Sequence, residues 1–339
     1  MPVRHLLYTG PGKRPEEVRG ALARGIGAIS VDSVNAIEQV QRSAGAGRAA
    51  DLLLRVNGAV VAPGSLTMTG TPSAFGVDVD QVLAAPARYA SAAAGLQFYV
   101  ASNLAGVEAL VAQFRESIAT ARRIADATGV TVRLLDLGGG FPAPYARRGE
   151  LPDLSGLRAE LVGMLDPSFP GWRAGSPVVA FESGRYLTAS CGSLITRVAD
   201  TKRSHGRRVV VLESGINHLG GMSGLRRVRP IAVEVEGPAG AGPADGPSPG
   251  AAAEDAMVCG PLCTPLDLWN SAALLPPVAP GDRLRVPNVG AYGLSASLLA
   301  FLGHPAPDEV VTDHGVVLER SRLETVRTWD GPRPDYEGM

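Results

Sequence analysis

The segment LLDLGGGFPAPY, residues 134–145, ends an apolar, strand-like run in three consecutive glycines. A backbone without Cβ atoms lets an anion approach closely and be wrapped by amide N–H groups. Residues 138–140 are therefore candidate phosphate ligands, and a tight turn packed against the next helix would explain the same pattern. A second apolar run ends in FESGRYL, which places Glu182 and Arg185 either in the same site or in an ordinary surface ion pair.

The elements that must position these residues follow a strand–helix rhythm in the first half of the chain. Strand-like runs occupy residues 5–9, 26–32, 51–56, 95–102, 131–137 and 178–182, with helical patterns between several of them. This rhythm indicates a parallel sheet with right-handed crossovers, whose strands end at one ligand-binding face. A complete barrel has eight such units in about 250 residues. The sequence therefore predicts an α/β fold, a (β/α)8 TIM-type barrel lacking its first two β/α units.

The pattern changes after about residue 187. Short alternating or β-branched runs follow at residues 193–198, 207–212, 230–235, 283–287, 309–311 and 316–318. Turn residues separate these runs, which predicts a C-terminal antiparallel β domain. We thus expect a partial barrel over residues 1–187 and a β domain over residues 188–339. The Gly/Pro/Ala-rich stretch 236–255 predicts a flexible loop within the β domain.

Composition narrows the class of protein. The 339 residues are 45% hydrophobic, which suffices for a large core, and the net charge of −1 provides no footprint for nucleic acid. The three cysteines, without a signal-like N-terminus, predict a reducing, cytoplasmic location. No apolar run of about 18 residues suggests a membrane span. Cys259 and Cys263 lack the further ligands that a zinc site needs, so no metal is expected.

Two further segments complete a pattern: CGPLCTPLDLW at residues 259–269 and NVGAYGLSASLLAFLGHPAPDEV at residues 288–310. Together with the triple glycine and FESGR, in this order, they resemble the fold-type III pyridoxal-phosphate decarboxylases, the ornithine, arginine and diaminopimelate decarboxylase superfamily. The segments MTGTPSAFGVD, SGINHLGG and GPLCTPLDL are similar to the branch found in natural-product and exopolysaccharide gene clusters. The resemblance covers nearly the whole chain.

The resemblance implies a cofactor, pyridoxal 5'-phosphate, and a set of residues that bind it. The glycines would hold the phosphate through their amides, and the Tyr292 hydroxyl would donate to it. Glu182 would face the pyridine nitrogen and keep it protonated, which favours the electron withdrawal that loss of CO2 requires. The implied cofactor-binding set is Gly138, Gly139, Gly140, Glu182, Gly184, Arg185, Tyr292, Arg55 and Ser102.

The implied catalytic residues are Cys263, Tyr99 and His218. Cys263 of the partner subunit would protonate the carbanion, whereas a small buried hydrophobe is the alternative reading of this thiol. Tyr99 stands where the family has a histidine stacked on the cofactor ring; a tyrosine can stack too, or merely fill the barrel. His218 would line the pocket or lie in a surface turn. Thr264 replaces the acid that diamine-forming members carry after the cysteine, so an unusual amino acid or a carrier-bound aminoacyl group is the expected substrate.

The family's Schiff-base lysine lies on the first barrel strand, and this chain has only Lys13 and Lys202, at other positions. The sequence thus predicts an amino-acid decarboxylase that needs a further N-terminal segment or a partner chain for its lysine, as a homodimer or heteromer. The alternative is a non-catalytic homologue that binds or regulates an active enzyme. Glu182 disfavours a racemase, since alanine racemases pair the pyridine nitrogen with arginine. The substrate and its stereochemistry stay open.

Overall fold

The computed structural model describes residues 1–44, 50–58, 66–67, 72–104, 106–220, 233–236 and 253–328, with the backbone alone at 66–67. The chain divides into two compact units. The first unit comprises Met1–Pro144 and Gly149–Ala189, and the second comprises Tyr145–Arg148 and Ser190–Met339.

The first unit is built on an open parallel sheet that forms the predicted part of a barrel. Its strand order is β1-β2-β3-β6-β8-β9, with β5 also paired to β3. The strands are β1 (Leu7–Tyr8), β2 (Ala28–Val31), β3 (Asp51–Asn57), β5 (Val77–Asp78), β6 (Gly95–Phe98), β8 (Leu134–Asp136) and β9 (Val178–Ala180). All six strand-like runs predicted in the first half are confirmed. Two short strands, β4 (Leu66–Thr67) and β7 (Ala101–Ser102), pair antiparallel beside this sheet.

Helices fill the connections between these strands. They are α1 (Pro15–Ala23), α2 (Val34–Ala44), α3 (Val79–Ala84), α4 (Val107–Thr128), α5 (Leu157–Ser168) and α6 (Arg185–Thr188). The α1 helix begins with Pro15, and the Glu17 carboxylate caps its first turn by accepting the Arg14 N–H at 2.9 Å. The α4 helix ends at Gly129, whose φ of 66° provides the left-handed cap. Its apolar face, which includes Phe114 and Ile118, is buried in the core of this unit.

The register of the sheet separates an apolar face from a polar row. Leu54, Leu96 and Leu135 are neighbours across β3, β6 and β8, and all three are fully buried in the core. The next residue on each strand forms a second row, Arg55, Gln97 and Asp136. Successive side chains of a strand point to opposite faces, so these polar groups share the face opposite the leucines. Their exposed fractions are only 5%, 1% and 2%.

The second unit contains the predicted β domain. Its five-stranded sheet has the order β13-β12-β11-β10-β14. The strands are β10 (Leu194–Ser204), β11 (Arg207–Leu212), β12 (Glu254–Cys259), β13 (Leu268–Leu275) and β14 (Arg283–Val286), and a separate hairpin is formed by β15 (Asp308–Asp313) and β16 (Val316–Arg322). The pairs are antiparallel except β11 with β12, which is parallel. The predicted antiparallel domain is thus confirmed, with one parallel pair added.

Two segments of this unit differ from the sequence prediction. Strands β12 and β13 were not predicted: β12 begins with two acids, and β13 carries Asn, Ser and Ala in its middle, so neither shows a β-branched alternation. Residues 233–235 form no strand, and only Glu236 makes an isolated bridge, to Arg285. Residues 230–232 and most of the predicted loop, 237–252, lie outside the described residues. No helix in the described stretches has the length and apolar character needed to cross a bilayer.

Candidate active site

The glycine turn follows directly on strand β8. Gly138 has a φ of 72° and Gly140 a φ of 102°, values that side chains disfavour. A Cβ on Gly138 would lie 1.9 Å from the carbonyl oxygen of Phe98, so only glycine fits there. A Cβ on Gly139 would lie 2.9 Å from both the Tyr99 hydroxyl and the Glu182 carbonyl oxygen. The turn therefore packs closely against two other predicted site residues.

Two backbone N–H groups of this turn make no hydrogen bond to the described residues. The carbonyl oxygens of Gly138, Gly139 and Gly140 accept from Glu182 N at 2.8 Å, Gln113 Nε2 at 3.0 Å and Leu104 N at 3.0 Å, respectively. The N–H of Gly138 donates to Asp136 at 2.9 Å. The buried N–H groups of Gly139 and Gly140 have no acceptor among the described residues. Because buried amides are costly when unpaired, these two are suited to an anion.

Glu182 lies beside this turn with its carboxylate fixed. Gln97 Nε2 donates to Glu182 Oε1 at 2.7 Å, and the backbone bond from Glu182 to Gly138 ties the two segments together. Phe141 after the turn and Phe181 before Glu182 pack edge to face, with ring centroids 5.8 Å apart. Phe114 of α4 lies 5.8 Å from the first ring and 5.4 Å from the second. This aromatic cluster holds the two site loops on α4.

Arg55 supplies a buried positive charge to the same region. Burial lowers the pKa of Arg55, while the nearby charges of Asp32, Glu182, Tyr99 and Asp136 raise it. Its guanidinium lies 4.5 Å from the ring centroid of Phe75. Within the described residues, Arg55 Nε and Gln97 Oε1 are buried without a hydrogen-bond partner. Both orphaned atoms belong to the polar row beside Glu182.

The remaining predicted residues of the first unit also meet. Arg185 Nη1 donates to the Ser102 hydroxyl at 2.9 Å, which links α6 to the end of β7. Gly184 is the residue immediately before α6. The structure thus brings together Tyr99, Ser102 and the glycine turn around Glu182 and Arg185. Arg55 joins them through its charge interactions with Glu182 and Tyr99.

Lys13 lies after β1 and is almost enclosed. Its ammonium group donates to the Gly10 carbonyl oxygen and lies 3.4 Å from the Ser30 hydroxyl and 4.0 Å from Asp32. Its side chain is 9% exposed. Burial lowers the pKa of Lys13, Asp32 opposes that shift, and Arg55 adds to it. Lys202, in contrast, is exposed on β10.

Three predicted residues, Cys263, His218 and Tyr292, lie in the second unit, and their roles stay predictions. Cys263 is exposed as a free thiol. His218 Nε2 donates to the Pro305 carbonyl oxygen at 2.8 Å, so Nδ1 of the neutral ring accepts from the Ser214 hydroxyl at 3.0 Å. Burial lowers the pKa of His218, consistent with this neutral form. Tyr292 lies in the turn after β14 with a φ of 60°.

Asp267 holds the loop that carries Cys263. Its carboxylate accepts two buried N–H groups, from Ile216 and Leu262, each at 2.8 Å. The side chain is 3% exposed, and a Cβ on Gly215 or Gly260 would come within 2.3 Å of its oxygens. These glycines are required because the carboxylate fills the space between the SGIN turn and the cysteine loop.

We expect Asp267→Ala to destabilise the second unit by about 2–5 kcal/mol, because two buried donors lose a charged acceptor. Urea unfolding followed by circular dichroism measures the loss. Asp255→Ala, at an exposed position on β12, is the control and should change stability by less than about 0.5 kcal/mol. Equal unfolding midpoints for the two variants would contradict this structural role.

Sequence reasoning missed Gln97, Asp136 and Gln113. A signal for the first two was present: GLQF and LLD are apolar, strand-like runs that each carry one polar residue, and LLRVN carries two, Arg55 and Asn57. Strands of a parallel sheet covered on both faces are nearly all apolar, so a polar residue in several of them indicates a site. Gln113 carried no such signal, because it is one polar residue within a long amphipathic helix.

The geometry defines a class of protein. It is an α/β half-barrel in which the segments after β8 and β9 present anion donors and a fixed carboxylate, and a β domain follows it in the chain. The chain belongs to the pyridoxal-dependent decarboxylases, since residues 1–189 match the family described as "Pyridoxal-dependent decarboxylase, pyridoxal binding domain". The glycine cradle, the two amide donors and the orphaned atoms of Arg55 and Gln97 fit the cofactor, pyridoxal 5'-phosphate, that defines this family.

Decarboxylases of this family can be aligned with most of the chain. L-glutamyl-[BtrI acyl-carrier protein] decarboxylase of Niallia circulans is 27% identical over 321 residues, which are 92% of this chain and 73% of that protein. Diaminopimelate decarboxylase of Methanothermobacter thermautotrophicus is 28% identical, over 93% of this chain and 72% of that protein. The crystal structure of Helicobacter pylori diaminopimelate decarboxylase complexed with L-lysine superposes with a TM-score of 0.74 at 22% identity, covering 95% of this chain and 76% of that one. That likeness supports the fold.

Proposed function

We propose that the chain decarboxylates an amino acid, or an aminoacyl group held on a carrier protein, at a pyridoxal-phosphate site in its first unit. The observation that carries this proposal is that the glycine turn after β8 and Glu182 after β9 are joined by a hydrogen bond. The glycine turn presents two buried N–H donors, and Glu182 is fixed beside it by Gly138 and Gln97. A pyridine ring that carries a phosphate needs an anion site for the phosphate and a carboxylate for the ring nitrogen, both at the same end of a barrel.

Each residue of the first unit has a separate task in this proposal. Gly139 and Gly140 bind the phosphate through their N–H groups. Glu182 would hold a proton on the ring nitrogen, and Gln97 would keep the carboxylate oriented through its hydrogen bond to Glu182 Oε1. When bound, the cofactor supplies an electron sink that stabilises the charge left by departing CO2. Tyr99 packs on the glycine turn and gives the site an aromatic wall.

The second unit would supply the proton that replaces CO2. We propose that Cys263 of the partner subunit donates it, with Tyr292 and His218 completing the site in a head-to-tail dimer. The exposed thiol of Cys263 and the firm loop built by Asp267 support this assignment. A thiol suits the task because it can give up a proton near neutral pH.

The substrate is proposed from the residue after this thiol. Thr264 accepts the Leu266 N–H at 3.3 Å, so its hydroxyl is used inside the loop. A neutral threonine offers no countercharge to a distal ammonium group, which disfavours diamino acids. The Niallia circulans relative acts on a glutamyl group carried by an acyl-carrier protein, and that chemistry would suit this site.

The lysine that binds the cofactor covalently, as a Schiff base, would come from outside these 339 residues. The family position for it is the first barrel strand, and Lys13 and Lys202 lie after β1 and on β10 of this chain. A preceding segment or a partner chain that carries such a strand would supply it. The enclosed Lys13 is already hydrogen-bonded to Gly10.

One experiment tests both parts of the proposal. The chain is mixed with pyridoxal 5'-phosphate, reduced with borohydride and mapped by mass spectrometry, and CO2 is measured from carboxyl-labelled free and carrier-bound amino acids. We expect no pyridoxyl label on Lys13 or Lys202, and CO2 release only after a lysine-bearing strand or partner is added. A label on Lys13 would overturn the external lysine. An assembly that binds the cofactor and releases no CO2 from any of these substrates would overturn the decarboxylase.

A further inference from the structure

Asp136 connects the two halves of the proposed cofactor site. One of its carboxyl oxygens accepts the Gly138 N–H at 2.9 Å, and the carboxyl group is also hydrogen-bonded to Glu182. Glu182 in turn accepts from Gln97. A continuous chain of hydrogen bonds therefore runs from the glycine turn to the carboxylate beside it. Asp136 is 2% exposed, so water does not replace these contacts.

We propose that Asp136 is a positioning residue, which holds the glycine turn and Glu182 as one rigid unit. This inference rests on the proposed function, in which the turn binds the phosphate and Glu182 faces the ring nitrogen. The phosphate and the ring nitrogen belong to one small ligand and are joined through a short phosphomethyl arm, which limits how far apart they can lie. Their binding groups must therefore keep a fixed separation, and Asp136 is the side chain bonded to both.

The bond between Asp136 and Glu182 requires a shared proton, because two ionised carboxylates only accept hydrogen bonds. Burial and, after it, the charge of Glu182 raise the pKa of Asp136 to about 7, against the opposing effects of the Gly138 N–H and of Arg55. Arg55 faces the pair from β3 and Gln97 from β6, and Gln97 donates to Glu182 alone. Because the pKa of Asp136 is raised, the shared proton is placed on Asp136, whose hydroxyl then donates to Glu182.

The pH dependence follows from this assignment. The pKa of Asp136 is about 7 in the folded chain against an ordinary 3.8. Between these values the folded chain holds a proton that the unfolded chain releases, so the free energy of unfolding decreases as the pH rises from about 4 to 7. Asp136→Asn removes this component.

Two variants separate positioning from simple packing. Asparagine can accept the Gly138 N–H through its oxygen and donate to Glu182 through its nitrogen, as the protonated acid does. We expect Asp136→Asn to bind pyridoxamine 5'-phosphate, which needs no lysine, within about 3-fold of wild type at pH 6. Asp136→Ala should bind it about 10- to 100-fold more weakly, since it lacks both bonds. Equilibrium dialysis measures the affinities, with Asp80→Asn, exposed on α3, as the control.

Infrared difference spectra between pH 6 and pH 8 give the readout that packing alone would not move. Wild type should show the C=O band of a carboxylic acid at pH 6, and Asp136→Asn should lack it. The proposal is overturned if that band persists in Asp136→Asn, if asparagine weakens binding as much as alanine, or if alanine binds like wild type. Absence of binding in wild type and Asp80→Asn would instead refute the proposed cofactor site.

Discussion

Replacing Gly139 by alanine is expected to lower the affinity for pyridoxamine 5'-phosphate by about 100-fold or more. The new methyl group would lie 2.9 Å from the Tyr99 hydroxyl and from the Glu182 carbonyl oxygen, and neither can stay in place. Two charge-assisted bonds from the turn to a phosphate are each worth about 1.5–3 kcal/mol, and the shift misaligns both. Gly139 has no positive φ, so alanine does not strain the backbone itself.

The matched control for this variant is Gly163→Ala on helix α5. A Cβ there meets no atom within 4 Å, and alanine in a helix should stabilise it by about 0.5–1 kcal/mol. Dialysis with pyridoxamine 5'-phosphate and thermal unfolding are measured on both variants. Unchanged affinity in folded Gly139→Ala would remove the glycine turn from the phosphate site. Gly138→Ala is less informative, because its clash at 1.9 Å endangers folding.

The fold of the first unit was predictable because each strand is a compact apolar run between helical patterns. A run such as residues 131–137 predicts a strand by itself, and the alternation of strands and helices predicts that the strands pair in parallel. The glycines and Glu182 were also predictable, since they stand where two adjacent strands end. The sequence does not, however, specify which neighbouring polar group each one meets.

The hydrogen-bonded chain around Glu182 depends on register, which only the folded sheet defines. Arg55, Gln97 and Asp136 lie far apart in sequence and become neighbours because β3, β6 and β8 pair without a shift. In the β domain, the difficulty is instead that the local sequence indicates two of the strands only weakly. Strands β12 and β13 form through pairing with each other and with β11, although their own residues favour strands only weakly. Tertiary contacts thus decide both which polar groups surround Glu182 and the formation of two of the five strands of that sheet.

In the assembly that supplies the lysine, replacing Glu182 by glutamine is expected to lower the decarboxylation rate on the order of 10³-fold, with little change in the stability of the chain. Glutamine has the same shape, and its oxygen can still accept from Gln97 and from Asp136. What it lacks is the negative charge that holds a proton on the ring nitrogen. The loss should therefore appear in kcat, with KM changed only slightly, because the charge acts mainly on the transition state.

The ring nitrogen itself provides the direct test of this charge. With 15N-labelled pyridoxamine 5'-phosphate, the nitrogen shift should report a protonated ring in wild type and a neutral ring in Glu182→Gln at pH 7. Glu160→Gln is the control, because that carboxylate forms an exposed pair with Arg115 at 3.5 Å and contributes little to stability. A protonated ring in the Glu182→Gln complex would show that another group supplies the charge. Asp136, the one acid of the polar row, would then be the residue to examine, since its proton could pass to the ring.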